Sequence, residues 1–562
     1  MLGAIVTGLK SSSLGFRSKW WLLQNVVGVP FDTGTEPEPD EYDRNKKRSG
    51  FAARDGRVYK SSGERAIANW LLSAAVDFEY ERSYEVDVAD AQHAQYRPDF
   101  YYPGANLYHE HWAFIPGEQV PPSFAGYLES AAWKRETHTA NQTKLIETAA
   151  FQLSDGTLLA SLEEQLRAHG LDPQFDPDRL IPGQPLVSDD DLLRLFRIFL
   201  THAKSNRLSD EDLRVRASRG GIGRATWRES LFLDLFADVR AEWDRCLRAA
   251  DEIDFEDMLN LATDLIENGK WTSPYRVVLV DEFQDASHAR ARLVKALVAA
   301  PDRYLFAVGD DWQSIYRFAG SDISAMTKFE DTFGRGHILR LERTFRNSQE
   351  LSTIAADFVM KNPVQLKKKV WSTSAVVDPV SLAIVDDDAG VTRAIGTQVQ
   401  AIAAGLGPRD TAVVKVLGRY RFEGDLVPRN SFPGVRVEFQ TIHSSKGLEA
   451  DHVIVPGMNR SAFPSAKEDD PLLRLAMPDG DGFPFAEERR LFYVALTRSR
   501  GTVHLIARRG RESDFVTELI SAGVFDPRRT RRIRPSAPAG VSGLRTRSDG
   551  RTQGTIRHLP RL

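Results

Sequence analysis

Residues 277–285 read VVLVDEFQD, in which four consecutive apolar β-forming residues are followed by two carboxylates. A short, continuous apolar run of this kind is typical of a strand that is buried on both faces of a parallel sheet. Such sheets bind ligands at the carboxyl ends of their strands, which is where Asp281 and Glu282 would lie. The alternative is a strand followed by a solvated helix N-terminus, where acidic residues are favoured in any case.

Similar short apolar runs recur further along the chain and alternate with helical segments. They are YLFAV (304–308), HILRL (337–341), AVVKV (412–416), VEFQTI (437–442), HVIVP (452–456) and VHLIA (503–507). This alternation predicts an α/β fold in which helices cover both faces of parallel sheets.

The composition indicates a soluble globular protein. Of the 562 residues, 42% are hydrophobic and 27% are charged, and the length suggests three to four domains. No apolar run approaches the roughly 18 residues that span a bilayer, and the N-terminus does not read as a secretory signal. Cys246 is the only cysteine, which excludes an internal disulfide and a cysteine-cluster metal site. We therefore expect a cytoplasmic protein with no membrane partner.

Shifts in composition divide the chain into six predicted regions. The last of them contains ten arginines and one aspartate between Pro527 and Leu562, and it is predicted to be disordered. It would attract nucleic-acid phosphates nonspecifically, or serve only as a solubilising tail. The regions are an N-terminal helical segment and linker (1–57), a small α+β domain (58–150), a helical region (151–270), a first α/β lobe (271–335), a second α/β lobe (336–525) and the tail (526–562).

Further motifs follow VVLVDEFQD in a fixed order. They are AVGDDWQSIYRFAG (307–320), LERTFR (341–346), FQTIHSSKGLE (439–449) and EERRLFYVALTRSR (487–500). In order and spacing they resemble motifs II to VI of the UvrD/Rep-type superfamily 1 DNA helicases, and the wording DDWQSIYRFAGSD resembles the DNA helicase IV branch. The resemblance implies two RecA-like parallel-sheet lobes, the first incomplete, with a helical region and a small α+β nuclease-like domain.

The resemblance also implies that the chain binds ATP and Mg²⁺. Asp281 would hold Mg²⁺ through water, Glu282 would orient and deprotonate the attacking water, and Gln313 would sense the γ-phosphate. Arg346 and Arg498 would reach the γ-phosphate from the second lobe, because a guanidinium group stays charged and binds phosphate oxygens in pairs.

The remaining nucleotide contacts that the resemblance implies lie in the second lobe. Phe345 offers a ring to the adenine, Glu449 accepts a hydrogen bond from a ribose hydroxyl, and Gly447 lies beside the nucleotide. Hydrolysis would then require closure of the two lobes, and product release would permit opening, which gives steps along a DNA strand.

The DNA track is implied by the same motifs. Tyr316 and Phe318 would stack on bases of single-stranded or partly duplex DNA, and Thr441, His443 and Lys446 would contact phosphates. The alternatives are core packing for Phe318 and an ordinary loop position for His443. The family has a Trp-Arg pair where this chain has Phe318-Ala319. The resemblance implies that the protein moves along a DNA strand in the 3′ to 5′ direction.

A glycine-rich phosphate loop of the form GxxxxGK[ST], which the family requires, is missing from the sequence. The nearest string is GAIVTGLKS (3–11), in which Leu9 precedes Lys10. Three explanations stay open: a truncated reading frame, a split enzyme whose loop comes from a separate chain, and loss of ATPase activity. We expect no ATP hydrolysis by this chain alone. The alternative function is that of an ATPase-inactive DNA-binding protein.

The region 58–150 carries a second set of acidic residues. Glu64 is predicted on a helix, Pro98-Asp99 on a strand and Glu110 on the next strand, which resembles the PD-(D/E)xK nuclease core. The position of that pattern's lysine is occupied by Trp112 here, and Lys134, on a neighbouring predicted helix, is a candidate to replace it. The alternative is a nuclease-like fold that serves only for DNA binding or packing.

Overall fold

The computed structural model describes residues 1–28, 50–90, 93–117, 119–120, 126–219, 225–460, 462–465, 470–477, 483–525 and 531–532. The predicted linker before Gly50 and the predicted tail, except for residues 531–532, lie outside these ranges. Within them, no helix is long and apolar enough to cross a membrane.

The N-terminal part of the chain contains two helices followed by a small mixed sheet. Helices α1 (Leu2–Ser12) and α2 (Leu14–Asn25) precede strands β1 (Phe51–Ala52) and β2 (Val58–Tyr59). The sheet has the order β3–β4–β5–β6, with antiparallel pairs up to β5 and a parallel pair between β5 and β6. The elements of this unit are α3 (Ser62–Ser73), β3 (Glu79–Tyr80), β4 (Phe100–Tyr102), β5 (Leu107–Trp112), α4 (Tyr127–Ala140) and β6 (Lys144–Ala149).

Strand β5 is central in this sheet, and all six of its residues are buried. Leu107 belongs to the core that α3 covers, together with Ile67. Tyr108 belongs to the opposite core, which it shares with Tyr84 and Trp133 of α4. Alternate residues of a strand face opposite sides of a sheet, so this pattern places one helix on each face.

A helical region follows the sheet. Helix α7 shows why these segments are helical: Ser188 caps it by accepting a hydrogen bond from Asp191 N, and its buried residues recur at steps of three and four. The helices are α5 (Ala150–Asp155), α6 (Leu158–Ala168), α7 (Asp189–Ser205), α8 (Asp210–Ser218), α9 (Trp227–Ala250) and α10 (Phe255–Glu267).

The core of the helical region is aromatic and includes the N-terminal helices. Trp20 of α2 stacks on Phe196 of α7 with ring centroids 5.3 Å apart, and the Phe196 ring lies 4.6 Å from the Phe232 ring of α9. Residues 472–477, which lie far away in sequence, also contribute buried side chains to this core. The string GAIVTGLKS lies inside α1, so it does not form a phosphate loop.

The first α/β lobe contains two described strands that pair in parallel. They are β7 (Val277–Val280) and β8 (Tyr304–Ala307), with helix α11 (His288–Leu297) between them and helices α12 (Ser324–Thr327) and α13 (Phe329–Phe333) after them. Hydrogen bonds from Val308 N to Val280 O and from Phe283 N to Val308 O, both 2.8 Å, continue the pairing toward the acidic residues.

The predicted strand at residues 337–341 was wrong. These residues form no strand, and Leu341 is 89% exposed. An apolar run becomes a strand only where a neighbouring strand satisfies its backbone groups, and none of the described strands pairs with this run.

The second α/β lobe contains a parallel sheet of six described strands in the order β11–β10–β12–β13–β9–β14. Helices α14, α16 and α17 pack on one face and α15 on the other. The elements are α14 (Gln349–Val359), β9 (Val380–Val385), α15 (Asp388–Gly405), β10 (Ala412–Gly418), β11 (Val435–Thr441), β12 (Ala450–Val455), α16 (Ala486–Thr497), β13 (Ser499–Arg508), α17 (Asp514–Ser521) and β14 (Arg531–Arg532).

The packing of Trp20 gives a test of the helical core. Trp20→Ala should lower the free energy of unfolding by about 3–5 kcal/mol, because it empties a buried aromatic site. Leu14→Ala on the same helix, where the side chain is 62% exposed, should change it by less than about 0.5 kcal/mol. Chemical unfolding followed by circular dichroism measures both variants, and equal effects would contradict this packing.

Candidate nucleotide site between the two lobes

The end of β7 places the two acidic residues of the first motif. Asp281 Oδ1 accepts a hydrogen bond from Glu282 N at 2.8 Å, and Glu282 Oε2 accepts one from Gln284 Nε2 at 2.5 Å. Glu282 has a φ of 50°, a left-handed conformation that is unfavourable for a residue with a side chain. Strain of this kind clusters at functional sites, where the surrounding structure holds it in place.

The turn after β8 lies against this acidic turn. Asp310 N donates to Gln284 Oε1 at 2.9 Å, and Gln313 Nε2 donates to Asp310 Oδ2 at 2.7 Å. A Cβ atom on Gly309 would lie 2.6 Å from Gln284 Oε1 and 3.0 Å from Gln284 N, so any larger residue here would force the Gln284 side chain to move.

Arg498 reaches this turn from the second lobe. It follows α16, is 1% exposed, and donates from Nη2 to Gln313 Oε1 at 3.1 Å. Further hydrogen bonds to Val494 O and Leu448 O fix its guanidinium group. Burial, followed by the nearby charge of Arg346, lowers the pKa of Arg498 to about 10, and Glu282 is near enough to act in the opposite direction. Arg498 is therefore a cation at neutral pH.

Arg346, Glu449 and Arg500 form a second charged group. Arg346 Nε donates to Glu449 Oε2 at 3.3 Å, and Arg500 also pairs with Glu449. The hydrogen bond from Arg500 is the first cause that holds the pKa of Glu449 below its usual range. The structure thus gives Glu449, which was predicted to contact a ribose, two arginine partners.

Phe345 and Gly447 are the other residues predicted to contact the nucleotide. The Phe345 ring is largely exposed, and the guanidinium carbon of Arg343 lies 4.4 Å from its centroid. Gly447 has a φ of 79°, and a Cβ atom on it would meet nothing within 4 Å. Both residues are accessible to a ligand.

Lys446 was predicted to contact a DNA phosphate, but the structure places it in a contact between the lobes. Its Nζ lies 2.5 Å from Asp285 Oδ2 and donates to Gln313 O at 2.8 Å. Burial raises the pKa of Asp285 despite this cation. Asp285 Oδ1 is buried and has no hydrogen-bond partner among the described residues.

Two of the residues predicted to bind DNA are joined by His443. Tyr316 donates to His443 O at 3.0 Å, and the ring centroids of Phe318 and His443 lie 5.5 Å apart. Burial lowers the pKa of His443 to about 4, so its ring is neutral at pH 7. Thr441 begins the same turn and accepts from Ser444 N at 3.3 Å. Phe318 is partly exposed and is not a core residue.

Sequence reasoning missed two contacts that hold the turn after β8. Arg490 of α16 donates to Ser314 O at 2.6 Å, and Lys368 lies 2.5 Å from Asp311. Asp311 lies in the motif at 307–320 and Arg490 in the motif at 487–500, so their positions in these motifs could have marked them as functional residues. Lys368 lies in a KKK run that carries no such signal.

The acidic residues of the 58–150 region lie around one end of its sheet. Asp99, which immediately precedes β4 and is not in the strand, accepts from His111 N at 2.8 Å. Burial and the charge of Asp99 raise the pKa of Glu64 and of Glu110, the latter to about 7. Lys134 Nζ donates to Glu110 Oε2 at 2.6 Å. Among the described residues, no three His, Cys, Asp or Glu side chains are grouped so that they could hold a metal ion.

Comparison with known proteins agrees with this two-lobed arrangement. Residues 124–334 match the UvrD/REP helicase N-terminal domain, and residues 427–509 match the UvrD-like helicase C-terminal domain. These two stretches of the chain are thus similar to the N-terminal and C-terminal domains of UvrD/Rep-type helicases.

Individual relatives are also helicases. The chain is 35% identical over 292 residues to DNA helicase IV of Escherichia coli, a match that covers 50% of this chain and 41% of that protein. It is 31% identical over 143 residues to Rep of the same organism (25% and 21% covered) and 25% identical over 290 residues to DNA helicase II of Haemophilus influenzae (48% and 38% covered). The chain thus spans about two fifths or less of these curated relatives.

The ion pair between Lys446 and Asp285 can be tested by substitution. Lys446→Met should lower the melting temperature, because it leaves a largely buried carboxylate without its cation; breaking a fully buried pair costs about 3–5 kcal/mol. Asp285→Asn combined with Lys446→Met should be more stable than Lys446→Met alone. Lys361→Met, which breaks a more exposed pair with Glu518, should cost at most about 1 kcal/mol. An equal loss in both lysine variants would contradict the assignment.

Proposed function

We propose that this chain is the motor portion of an ATP-dependent DNA helicase of the helicase IV type that moves 3′ to 5′ along single-stranded DNA. The observation that carries the proposal is the hydrogen bond between Arg498 of the second lobe and Gln313 of the first, beside Asp281 and Glu282. A nucleotide bound at this position would be contacted from both lobes, so that its hydrolysis changes how the lobes fit together.

The acidic residues fit the metal that such a site requires. Proteins usually bind Mg²⁺ through one or two carboxylates together with water and phosphate oxygens, so Asp281, which is exposed at the strand end, is a sufficient protein ligand. When bound, Mg²⁺ neutralises phosphate charge. Glu282, held in its strained conformation, would orient the attacking water and accept its proton.

The arginines would stabilise the charge that develops on the transferred phosphoryl group. Arg498 is fixed by four backbone or side-chain oxygens, so it needs little rearrangement before it meets a phosphate. Arg346 would leave its exposed ion pair with Glu449 and bind the γ-phosphate of the nucleotide instead. An arginine in this role is worth about 10³–10⁵ in rate in related phosphate chemistry.

The turn after β8 also supports a link between nucleotide and DNA. Gln313 lies three residues before Tyr316, and Lys446 contacts Gln313 O while its ammonium lies 5.1 Å from the Tyr316 ring centroid. A movement of Gln313 with the nucleotide would therefore shift the aromatic side chains on which bases stack. Stacking of this kind contributes about 1–3 kcal/mol per base and tolerates any sequence.

Nucleotide binding separates this proposal from an ATPase-inactive DNA-binding protein. We expect a fluorescent ATP analogue to bind in the presence of Mg²⁺, and Arg346→Ala to weaken binding about tenfold or more through loss of a charge-assisted hydrogen bond. Arg509→Ala, which removes an arginine that follows β13 and pairs with Asp386, should leave binding unchanged. Titration by fluorescence anisotropy decides, and absence of binding would reject the motor function.

A metal-dependent nuclease is the second candidate function, for the region 58–150. The contact between Lys134 and Glu110 favours it, because it brings a lysine from α4 to the acidic residue of β5, whereas the nuclease pattern's own lysine position holds Trp112. The described side chains do not form a metal-binding group. We therefore derive no catalytic step for this region.

The nuclease function makes a separate prediction. Mg²⁺-dependent nicking of plasmid DNA should disappear in Asp99→Ala and in Lys134→Met, and it should persist in Glu282→Gln, which lies in the other site. An agarose-gel nicking assay measures all three variants. Equal cleavage by every variant, or no cleavage by the wild-type chain, would reject this function and leave the region as a binding or packing module.

A further inference from the structure

The second lobe presents an aromatic ring at its surface, next to the candidate nucleotide site. The ring belongs to Phe345, which is 82% exposed, whereas phenylalanine side chains are usually buried. The next residue is Arg346, whose charge, after the effect of burial, lowers the pKa of Arg498. The ring is therefore available to the base of a nucleotide whose phosphates these two arginines bind.

Arg343 lies against this ring and against a second one. Its guanidinium carbon is 4.4 Å from the Phe345 ring centroid and 5.0 Å from the Trp371 ring centroid. A guanidinium group is planar and positively charged, and the faces of aromatic rings attract it, so it stacks on rings as an ammonium group does not. We call these three residues, Phe345, Arg343 and Trp371, the aromatic stack.

The backbone keeps Arg343 and Trp371 next to each other. The two residues form an isolated parallel bridge, in which Thr344 N donates to Trp371 O at 2.9 Å and Trp371 N donates to Glu342 O at 2.8 Å. These hydrogen bonds fix the chain on both sides of Arg343. Trp371 therefore supports the guanidinium group of Arg343, and Arg343 in turn supports the ring of Phe345.

The segment that leads to Trp371 is anchored to the turn after β8. Trp312 Nε1 donates to Leu366 O at 3.0 Å, Leu366 N donates to Asp311 Oδ2 at 2.8 Å, and Lys368 Nζ lies 2.5 Å from Asp311 Oδ1. Trp371 follows Lys368 by three residues. The aromatic stack is thus held close along the chain to contacts with the turn that the nucleotide phosphates are proposed to reach.

We infer that Arg343 and Trp371 are positioning residues for nucleotide binding: they hold the ring of Phe345 as a preformed surface on which the base stacks. This inference rests on the proposed function, because it concerns the base of the nucleotide that the arginines bind. An exposed phenylalanine ring rotates about two side-chain bonds, and binding a base has to stop this rotation. Contact with Arg343 removes part of that cost before the ligand arrives.

The alternative role for Arg343 is direct contact with a phosphate group. The two roles differ in what can replace the arginine. A lysine keeps the positive charge and still binds phosphate as a point charge, but it does not lie flat between two rings. They also differ in their dependence on Phe345, because a positioning residue acts only through the ring that it holds.

The experiment uses the full chain with Mg²⁺ and etheno-ATP, an ATP analogue whose fluorescent base is quenched when it stacks on a ring. Arg343→Ala should weaken binding about two- to fivefold, the effect of losing one exposed cation–ring contact, and should reduce the quenching of the bound probe at saturation. Arg343→Lys should behave like Arg343→Ala, and Trp371→Ala should have a similar effect. In a chain that already carries Phe345→Ala, Arg343→Ala should have no further effect.

Arg409→Ala is the matched control, because it removes an exposed arginine from the loop between α15 and β10. It should change neither the affinity nor the quenching. Circular dichroism checks that each variant is folded. A purely structural role of Arg343 would lower the fraction of chain that binds the probe, but it would not change the quenching of the probe that is bound.

The outcomes separate this inference from the proposed function. Weaker binding with less quenching in Arg343→Ala and Arg343→Lys, and no further effect in the Phe345→Ala chain, supports the inference. Unchanged quenching in Arg343→Ala, wild-type binding by Arg343→Lys, or an equal loss in the Phe345→Ala chain overturns it, while the proposed function stands. No binding of the probe by the wild-type chain rejects both.

Discussion

The turn that follows β8 is the constraint on which the arrangement of the two lobes depends. Arg498 binds the side chain of Gln313, Lys446 binds its backbone oxygen, and Arg490 binds the oxygen of Ser314. All three cations belong to the second lobe, and the turn that they hold belongs to the first. Trp312 and Ile315 of the same turn are buried in the hydrophobic core of the second lobe. A ligand that changes one of the polar contacts therefore acts on a segment that both lobes hold.

The same turn joins two kinds of candidate site. Its first residues face the acidic turn after β7, and its later residues, Tyr316 and Phe318, meet the ring of His443. A nucleotide and a DNA strand would thus act on two ends of one short segment.

Much of the fold follows from short apolar runs in the sequence. VVLV, AVVKV and VHLIA are strands because their neighbours in the sheet are present within the chain. HILRL has the same composition but no described partner, and it is not a strand. Composition indicates that a segment can be a strand, whereas pairing depends on residues elsewhere. Strand β9 was not predicted, because the serine in its run VSLAIV interrupts the apolar pattern.

The sequence predicted which residues belong to the candidate site, but it predicted few of the contacts that these residues make. The order of the motifs along the chain predicted Asp281, Glu282, Gln313 and Arg498 as site residues, and the structure places Arg498 against Gln313 and near Glu282. They gave no indication that Lys446 would pair with Asp285, 161 residues away, or that Glu449 would have two arginine partners. Such contacts depend on how the lobes meet, which a local pattern does not describe.

The most direct test is a crystal structure of the chain with Mg²⁺ and a non-hydrolysable ATP analogue. We expect a terminal phosphate within hydrogen-bond distance of both Arg498 and Gln313, with the metal beside Asp281. A nucleotide that contacts residues of one lobe only, or that binds away from the end of β7, would contradict it.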